Sequence, residues 1–381
     1  MTKRIPLGDM CVHKIDMLSS QCCDEIEYID ISSVDNIQKK IVSSQTIPIV
    51  DAPSRAKQLI NKGDVLVSTV RPNLNAVAIV DRETDNTLVA STGYCILRTE
   101  NEIHQKYIYY FCQSPYFVGN MVKQATGASY PAVSSNIVKN SLIPDYDEYE
   151  KKKIVASLDK VSILIDERKK QLQKLEELVK SRFVEMFGDK ESNPFGWEQC
   201  SVGECCTLKS GTSLPAEVEN EGGPIPYVKV GDMNYPGNEK YITTSSRYVS
   251  EETAGKGLFE VGSVLFPKRG GAIGTNKKRM TKLPVCADLN VMGVSSNGKL
   301  LPEYLFAYFD LIDLGALADG SSVPQINNKN IAPLVICLPP IELQEQFAAF
   351  VEQTDKSKFA VQQSLDKLET LKKSLMQEYF G

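Results

Sequence analysis

KKKIVASLDKVSILIDERKKQLQKLEELVKSRFVEMFG, residues 151–188, decides how the rest of the chain is read. It contains no proline, and no glycine before Gly188. Leu158, Ile165, Leu172, Val179 and Met186 recur every seven residues, and Val161, Arg168, Leu175 and Arg182 fill the second seam position. Leu164 and Leu178 widen the stripe, and the stems of the two arginines can cover apolar surface. Apolar residues at seven-residue spacing over this length mark a long or coiled-coil helix. The spacing predicts one over 148–188.

A second segment of the same kind runs from about Glu342 to Gly381, with Val361, Leu365, Leu368, Leu371 and Leu375 as its stripe. The two segments also resemble each other. LEELVKSRFVEMFG (175–188) aligns with LETLKKSLMQEYFG (368–381), so Phe187-Gly188 falls on Phe380-Gly381 at an offset of 193 residues. Lys358 and Lys372 stand where the first segment has Ile165 and Val179, so an irregular or staggered seam is expected.

The stretches before each helix rhyme as well. TGASYPAVSSNIVKNSLIP (126–144) answers DGSSVPQINNKNIAPLVICLP (319–339), and KGDVLVSTVRP (62–72) answers VGSVLFPKRGG (261–271). A repeat of about half the chain implies duplicated architecture. The expected order is a globular domain at 1–147, a helix at 148–188, a second domain at 193–340 and a second helix at 341–381. KESNPFGW (190–197) is the turn-rich linker between the halves. Inside each domain a mixed α/β (α+β) content is expected. EIEYIDISSV, DVLVSTV, AVAIVD and TGYCILRT read as strands, and KYIYYFCQSPYFVGNMV and LPEYLFAYFDLID as short helices.

A forty-residue helix is a rod of roughly 60 Å. Its apolar stripe must be covered, and the partner in hand is its own copy. For the two domains to point to opposite ends of such a rod, the pair must run antiparallel, which gives an internal pseudo-two-fold repeat. The expected packing residues are Leu158, Ile165, Leu172, Leu175 and Val179 against Val361, Leu365, Leu368, Leu371 and Leu375. A rod of that length spans on the order of 17 base pairs of duplex DNA. Plain dimerisation helices remain the alternative.

Composition narrows the class. Hydrophobic residues are 42% and charged residues 24%, as in soluble globular proteins. There is no long apolar run of membrane-spanning length, and MTKRIPLGDM lacks the apolar stretch of a secretory signal. A cytoplasmic protein is expected. The ten cysteines include the adjacent pairs Cys22-Cys23 and Cys205-Cys206, and the histidines are His13 and His104. Neither type forms a zinc-ligand group, so reduced, mostly buried thiols and no metal or cofactor are expected.

The net charge of -5 counts against a simple nucleic-acid binder. The charge is nevertheless segregated. Between Lys256 and Lys282 stand seven basic residues (Lys256, Lys268, Arg269, Lys277, Lys278, Arg279 and Lys282) against the single acid Glu260. Gly270, Gly271 and Gly274 would let backbone amides approach a phosphate, and arginine suits a guanine edge while lysine suits phosphate. Lys268, Arg269, Asn276, Lys277, Lys278, Arg279 and Ser322 are therefore candidate DNA contacts in the second domain. Arg55, Lys57, Arg71, Asn73, Asn75, Lys123 and Ser129 are the candidates in the first. A solvated basic loop, and a turn-forming role for any one asparagine, stay open as the plainer readings.

Signs of catalysis are thin. GxxxxGK[ST] is missing, and GGAIG (270–274) is a poor dinucleotide fingerprint. Asp30, Asp51, Asp64 and Asp288 are scattered, Asn193-Pro194-Phe195 lacks the second proline of a methyltransferase loop, and two histidines form no legible triad. Binding is favoured over turnover, so the chain is expected not to be an enzyme.

At this point the layout resembles the specificity subunit of Type I restriction–modification enzymes over nearly the whole chain. The residues that carry the resemblance are the turns at Gly63 and Gly262, the G-x-S-x-P segments at Gly127 and Gly320, the strand ends at Pro144 and Pro339, and the FG-terminated helices. The resemblance implies two target-recognition domains that each read half of a split DNA site, and paired helices that fix the gap. It also implies docking of modification subunits, two in number, which bring S-adenosylmethionine-dependent adenine methylation, and of ATP-driven motor and cleavage subunits. The subunit itself would have no activity. A coiled-coil scaffold that binds only proteins is the competing account. An unfamiliar enzyme, requiring a buried carboxylate or thiol site, is the third.

Overall fold

A helix propagates until proline or glycine breaks its ladder of hydrogen bonds, and the two segments without such breaks form the longest elements. The computed structural model describes all residues except Met1, His13, Ser20–Cys22, Glu100 and Lys190–Glu191, and all their side chains except that of Lys256. His13, Cys22, the start of the 190–197 linker and the Lys256 side chain therefore lie outside the described residues. The central helix covers Glu148–Phe187 and the final helix Ile341–Phe380, 40 residues each. Asp147 caps the first by accepting the Glu150 N–H at 2.8 Å. Gly188, at φ +82°, closes it where a side chain would strike the Pro194 ring. The fold is mixed α+β, and the two long helices pack on each other.

The chain divides into two units, Met1–Lys169 with Gln363–Gly381, and Lys170–Gln362. Each contains part of both long helices.

In the first unit, strands Gln45–Pro48, Glu25–Ile29, Thr87–Ser91 and Ala56–Leu59 form a four-stranded sheet in that order. Glu25–Ile29 runs parallel to Thr87–Ser91 and antiparallel to Gln45–Pro48. Val65–Ser68 lies between Tyr94–Leu97 and Val77–Ile79 in a second sheet. Strand alternation sends Val65 and Val67 into one core with Tyr107, Ile108 and Phe111, and Leu66 into another with Tyr94 and Ala78. The segment KYIYYFCQSPYFVGNMV is two helices, Glu102–Phe111 and Pro115–Gln124, because Pro115 starts a new helix capped by Ser114. A two-stranded sheet pairs Arg4–Pro6 with Leu142–Pro144. Ile154, Val155 and Leu158 of the central helix share this core with Met376 and Phe380 of the final helix. Farther along, Arg168 donates to Ser364 Oγ at 3.4 Å and Lys169 pairs with Glu369 at 3.4 Å. Rising numbers on one helix meet falling numbers on the other, so within this unit they run in opposite directions.

The second unit has the same order of connections. Tyr248–Val249, Ile225–Val228, Val285–Ala287 and Leu258–Phe259 form a four-stranded sheet with the parallel pair at its centre. Val264–Pro267 lies between Val291–Ser296 and Arg279–Thr281, in a sheet extended by Cys206–Ser210 and Tyr241–Ile242. Val264 and Phe266 face the helix Pro302–Asp310, and Leu265 faces Phe259 and Val291. Glu198–Ser201 pairs with Val335–Leu338. Here Phe183 and Phe187 of the central helix pack on Phe347 and Val351 of the final helix. Glu176 pairs with Lys358 at 3.5 Å, so the helices are antiparallel within this unit too.

The FG helix ends explain themselves in these cores. The Phe380 ring lies 5.3 Å from Tyr107 in the first unit, and Phe187 lies 4.8 Å from Tyr304 in the second. Tyr107 and Tyr304 each donate a hydroxyl hydrogen bond to the strand leading to the long helix, at Pro144 O (2.8 Å) and Cys337 O (3.0 Å).

The expected seam needs one correction. Leu158, Ile165, Val361 and Leu365 are buried, and Leu172, Leu175, Val179, Leu368 and Leu375 are half-buried, but Leu371 is 45% exposed. The covered path on the final helix runs through Leu368, Lys372, Met376 and Phe380, with the Lys372 ammonium 5.7 Å above the Tyr110 ring. Among the described residues, no helix is long and apolar enough to cross a membrane.

Candidate nucleic-acid interface

In each unit a strand runs out into a turn, and a returning loop clamps the exit. In the first unit the strand is Val65–Ser68 and the loop is 126–133. Val133 N donates to Thr69 O at 2.9 Å, Arg71 N donates to Pro131 O at 2.7 Å, and Thr126 and Ala132 exchange backbone bonds of 3.0 and 2.8 Å. Arg71 takes φ +49°, Pro72–Leu74 makes one short helical turn, and Asn75, also at φ +49°, closes it by donating to Pro72 O at 3.1 Å. Arg71, Asn73, Ser129 and Tyr130 are exposed on this turn and loop, with the Arg71 guanidinium 4.7 Å from the Tyr130 ring centroid. Lys123 is exposed in the last turn of Pro115–Gln124, a helix that packs on the Pro72–Leu74 turn.

In the second unit the strand is Val264–Pro267 and the loop is 319–326. Ile326 N donates to Lys268 O at 2.9 Å, Gly270 N donates to Pro324 O at 2.8 Å, and Asp319 N donates to Gln325 O at 3.0 Å. The helical turn is Gly270–Thr275, and Asn276 closes it at φ +54°. Asp319 holds its loop by accepting from Ser321 Oγ at 2.7 Å and Gln325 N at 2.9 Å. Ser322 is exposed at the tip.

The hydrogen bonds put Arg71 and Gly270 in equivalent places, and likewise Thr69 and Lys268, Val70 and Arg269, Asn75 and Asn276. The shared framework is backbone, while the side chains it displays differ.

The basic run does not act as one patch. Lys278 is 3% exposed and turned inward, donating to Ile312 O at 2.6 Å and Asn276 Oδ1 at 2.8 Å. Burial pushes its ammonium down to about 8. Arg279 donates from Nε and Nη2 to Met233 O at 3.1 and 3.0 Å and from Nη1 to Lys278 O at 2.8 Å, and burial lowers its pKa too. These two bases hold the turn to its own sheet, because carbonyls inside the fold occupy their donors, so they are corrected here to structural residues. Asn276 is likewise a turn former, its amide oxygen accepting from Leu314 N at 2.9 Å. Lys277 bonds the Asn234 side chain. Lys268 is half-buried on Ser210 Oγ at 2.9 Å, with its pKa lowered by burial and then by the like charge of Arg269. Arg269 is exposed and reaches Gln325 Oε1 only at 3.5 Å.

Arg55 and Lys57, both exposed, lie on or beside the strand Ala56–Leu59 of the four-stranded sheet rather than on the turn. Arg55 O accepts from Thr92 N at 2.9 Å, and the next carbonyl, Gly93 O, accepts from Thr69 N at 2.9 Å, so a backbone path joins Arg55 to the clamp. Asn75 is half-buried, its carbonyl held by Lys39 Nζ at 2.5 Å. Sequence reading does not give Ser210 and Gln325 as the partners of Lys268 and Arg269, nor the pairing of Tyr130 with Arg71. Only Tyr130 carries a local signal, as a lone aromatic in a small-residue loop.

Residues 194–372 match the family model described as the Type I restriction modification DNA specificity domain. The chain is 24% identical over 351 residues to the Type I restriction enzyme MjaIX specificity subunit of Methanocaldococcus jannaschii, covering 86% of this chain and 76% of that protein. A chain solved in work on complex assembly and conformational transition of the type I R-M system aligns over 99% of this chain and 97% of its own, at TM-score 0.61 and 25% identity. The proteins that this chain matches are specificity subunits and assemblies of Type I restriction–modification systems. The S subunit of the Type-I restriction-modification system from M. genitalium shares the fold at 14% identity and TM-score 0.57, over 100% of this chain and 96% of that one. Both the 268–279 turn and the 319–326 loop fall inside the matched region, and the equivalent turn and loop of the first unit precede it.

Proposed function

We propose that this chain is the non-catalytic DNA-recognition subunit of a Type I restriction–modification complex and reads a split site, one half with each unit. The observation that carries this reading is the clamped turn, built twice on the same backbone bonds with different side chains displayed: Arg71 against Gly270, Val70 against Arg269, Tyr130 against Val323. A framework held constant beneath varied exposed groups suits two half-sites of different sequence. On this reading 1–147 and 193–340 are target-recognition domains. The helices at 148–188 and 341–381 are the spacer pair of a pseudo-two-fold repeat, in the manner of a coiled coil. They set the gap between half-sites and dock modification subunits, two of them, and the motor and cleavage subunits, in the cytoplasm.

Within that interface Arg269 reads a base edge and Lys268 a phosphate. Arg269→Ala should lower affinity of the assembled complex by about 5- to 150-fold and relax one base position. Lys268→Met should weaken binding evenly across sequences and make the salt dependence shallower by about one charge. Methylation-site mapping in the host, with and without this gene, tests the whole reading. Loss of a bipartite methylated motif on deletion is expected. An unchanged methylome would leave a protein-binding scaffold as the better account.

A further inference from the structure

Arg71 sits where an L side chain is rarely found. Its φ of +49° and ψ of 61° lie in the left-handed region, and the clamp fixes them through Arg71 N to Pro131 O and Leu74 N to Arg71 O, at 2.7 and 2.9 Å. The second unit puts a glycine, Gly270 at φ +73°, in the equivalent place. Glycine adopts this conformation without a Cβ penalty. A bulky residue kept there against the backbone preference points to a use for its side chain.

The side chain itself is exposed and unbonded. Among the described residues the Arg71 guanidinium has no hydrogen bond and no ion pair. Two other arginines have their donors held inside the fold: Arg98 grips the buried Asp64 at 2.8 and 2.7 Å, and Arg279 grips Met233 O. Arg71 instead lies 4.7 Å from the centroid of Tyr130, whose ring is 68% exposed and belongs to no core. Stacking on a ring fixes the plane of a guanidinium and leaves its edge donors pointing outward. In the second unit the counterpart of Tyr130 is Val323, so both members of the pair are missing there together.

We propose that Arg71 and Tyr130 are a preset base-reading pair: Tyr130 is a positioning residue that holds Arg71 flat, and Arg71 takes the O6 and N7 acceptors of a guanine in the half-site read by the first unit. The inference rests on the proposed DNA-recognition role and adds the residue, its holder and the base. Guanine offers two acceptors on one edge in the major groove, the geometry that the two parallel donors of an arginine match.

The test is methylation-site mapping in the host carrying the wild-type gene or one of five variants: Arg71→Ala, Arg71→Lys, Arg71→Gly, Tyr130→Phe and Tyr130→Ala. Arg71→Gly installs the residue the second unit uses and relieves the backbone, so a folding defect cannot explain its phenotype. The three Arg71 variants should relax one G·C position in one half-site, with discrimination falling by about 5- to 150-fold. Arg71→Lys should not rescue it, since an ammonium lacks the paired donors. Tyr130→Phe should keep the motif, and Tyr130→Ala should loosen the same position by a smaller factor. The other half-site should stay as it was. An unchanged motif in Arg71→Gly would overturn the proposal. So would an even loss of methylation across all sites with the motif unchanged, which would make Arg71 a phosphate contact. A wild-type strain whose methylome ignores this gene would instead sink the broader recognition role, and that outcome is visible before any variant is compared.

Discussion

Replacing Phe187 by alanine should destabilise the second unit by about 4 kcal/mol, the midpoint of the range for removing a buried phenylalanine. Phe187 is 2% exposed and sits among three rings, with centroids 5.1 Å away at Phe183, 4.8 Å at Tyr304 and 5.4 Å at Phe347. The Tyr304 and Phe347 contacts are near-perpendicular at 89° and 79°, the edge-to-face arrangement that adds to burial alone. Those rings come from three separate stretches of chain, so none can collapse into the gap without drawing its whole helix along, which keeps the cost from falling to the bottom of the range. The assay is built in. Trp197 is the only tryptophan of the chain, and its indole N–H donates to Phe187 O at 3.1 Å. Its fluorescence during urea unfolding reports this unit. With a urea slope near 3 kcal/mol per molar, the midpoint should fall by roughly 1.3 M. Val184→Ala, one turn earlier but 42% exposed, is the control and should shift stability by no more than about 0.5 kcal/mol. A Phe187→Ala midpoint within about 0.3 M of wild type would refute the ring cluster as the lock on the central helix.

Phe380→Ala should do the same to the first unit, since that ring lies 5.3 Å from Tyr107 and 5.8 Å from Phe111; amide exchange in Glu102–Phe111 should speed up as about 3–5 kcal/mol of protection is lost, and unchanged exchange would count against it. Lys278 gives a pH signature: its amine falls from 10.5 unfolded to about 8 folded, so between those values the unfolded state holds more protons and stability rises with pH. Below about pH 8 the amine is charged in both states and its burial penalty is fully present, so wild type should gain on Lys278→Met by about 3 kcal/mol between pH 8 and 10.5, and a stability difference flat with pH would exclude it.

Much of this fold is legible in the sequence because its signals are local. Absence of glycine and proline announces both long helices, and alternation in DVLVS and SVLFP places Val65, Val67, Val264 and Phe266 on one face. What failed to show depends on contacts between distant residues. Leu371 reads as stripe on a strict seven-residue count. The covered path steps instead from Leu365 to Leu368, Lys372, Met376 and Phe380, a spacing close to the natural pitch of a straight helix. Lys278 belongs to a basic run by composition, yet Ile312 O, more than thirty residues on, draws its ammonium inward. No local pattern carries that information. The pairing of Tyr130 with Arg71 is not legible either, because an aromatic in a loop has no periodicity to betray its partner.

The inward turn of Lys278 and Arg279 also bears on the charge of the chain. A net charge of -5 opposes binding to a polyanion, and by composition the basic run offsets it locally. With two of its bases engaged by carbonyls and Lys268 half-buried, Arg269 and Lys282 are the exposed bases left among its described side chains. Each phosphate neutralised contributes about 0.9 to the salt slope, so the two exposed bases of this run add little to it. A surface that holds DNA weakly can still choose among sequences, because discrimination comes from donors matched to base edges. The distribution of charge therefore separates two tasks. On the proposed recognition role this chain displays exposed side chains on backbone clamps, and the bulk attraction that brings DNA to them is left for partner subunits to supply.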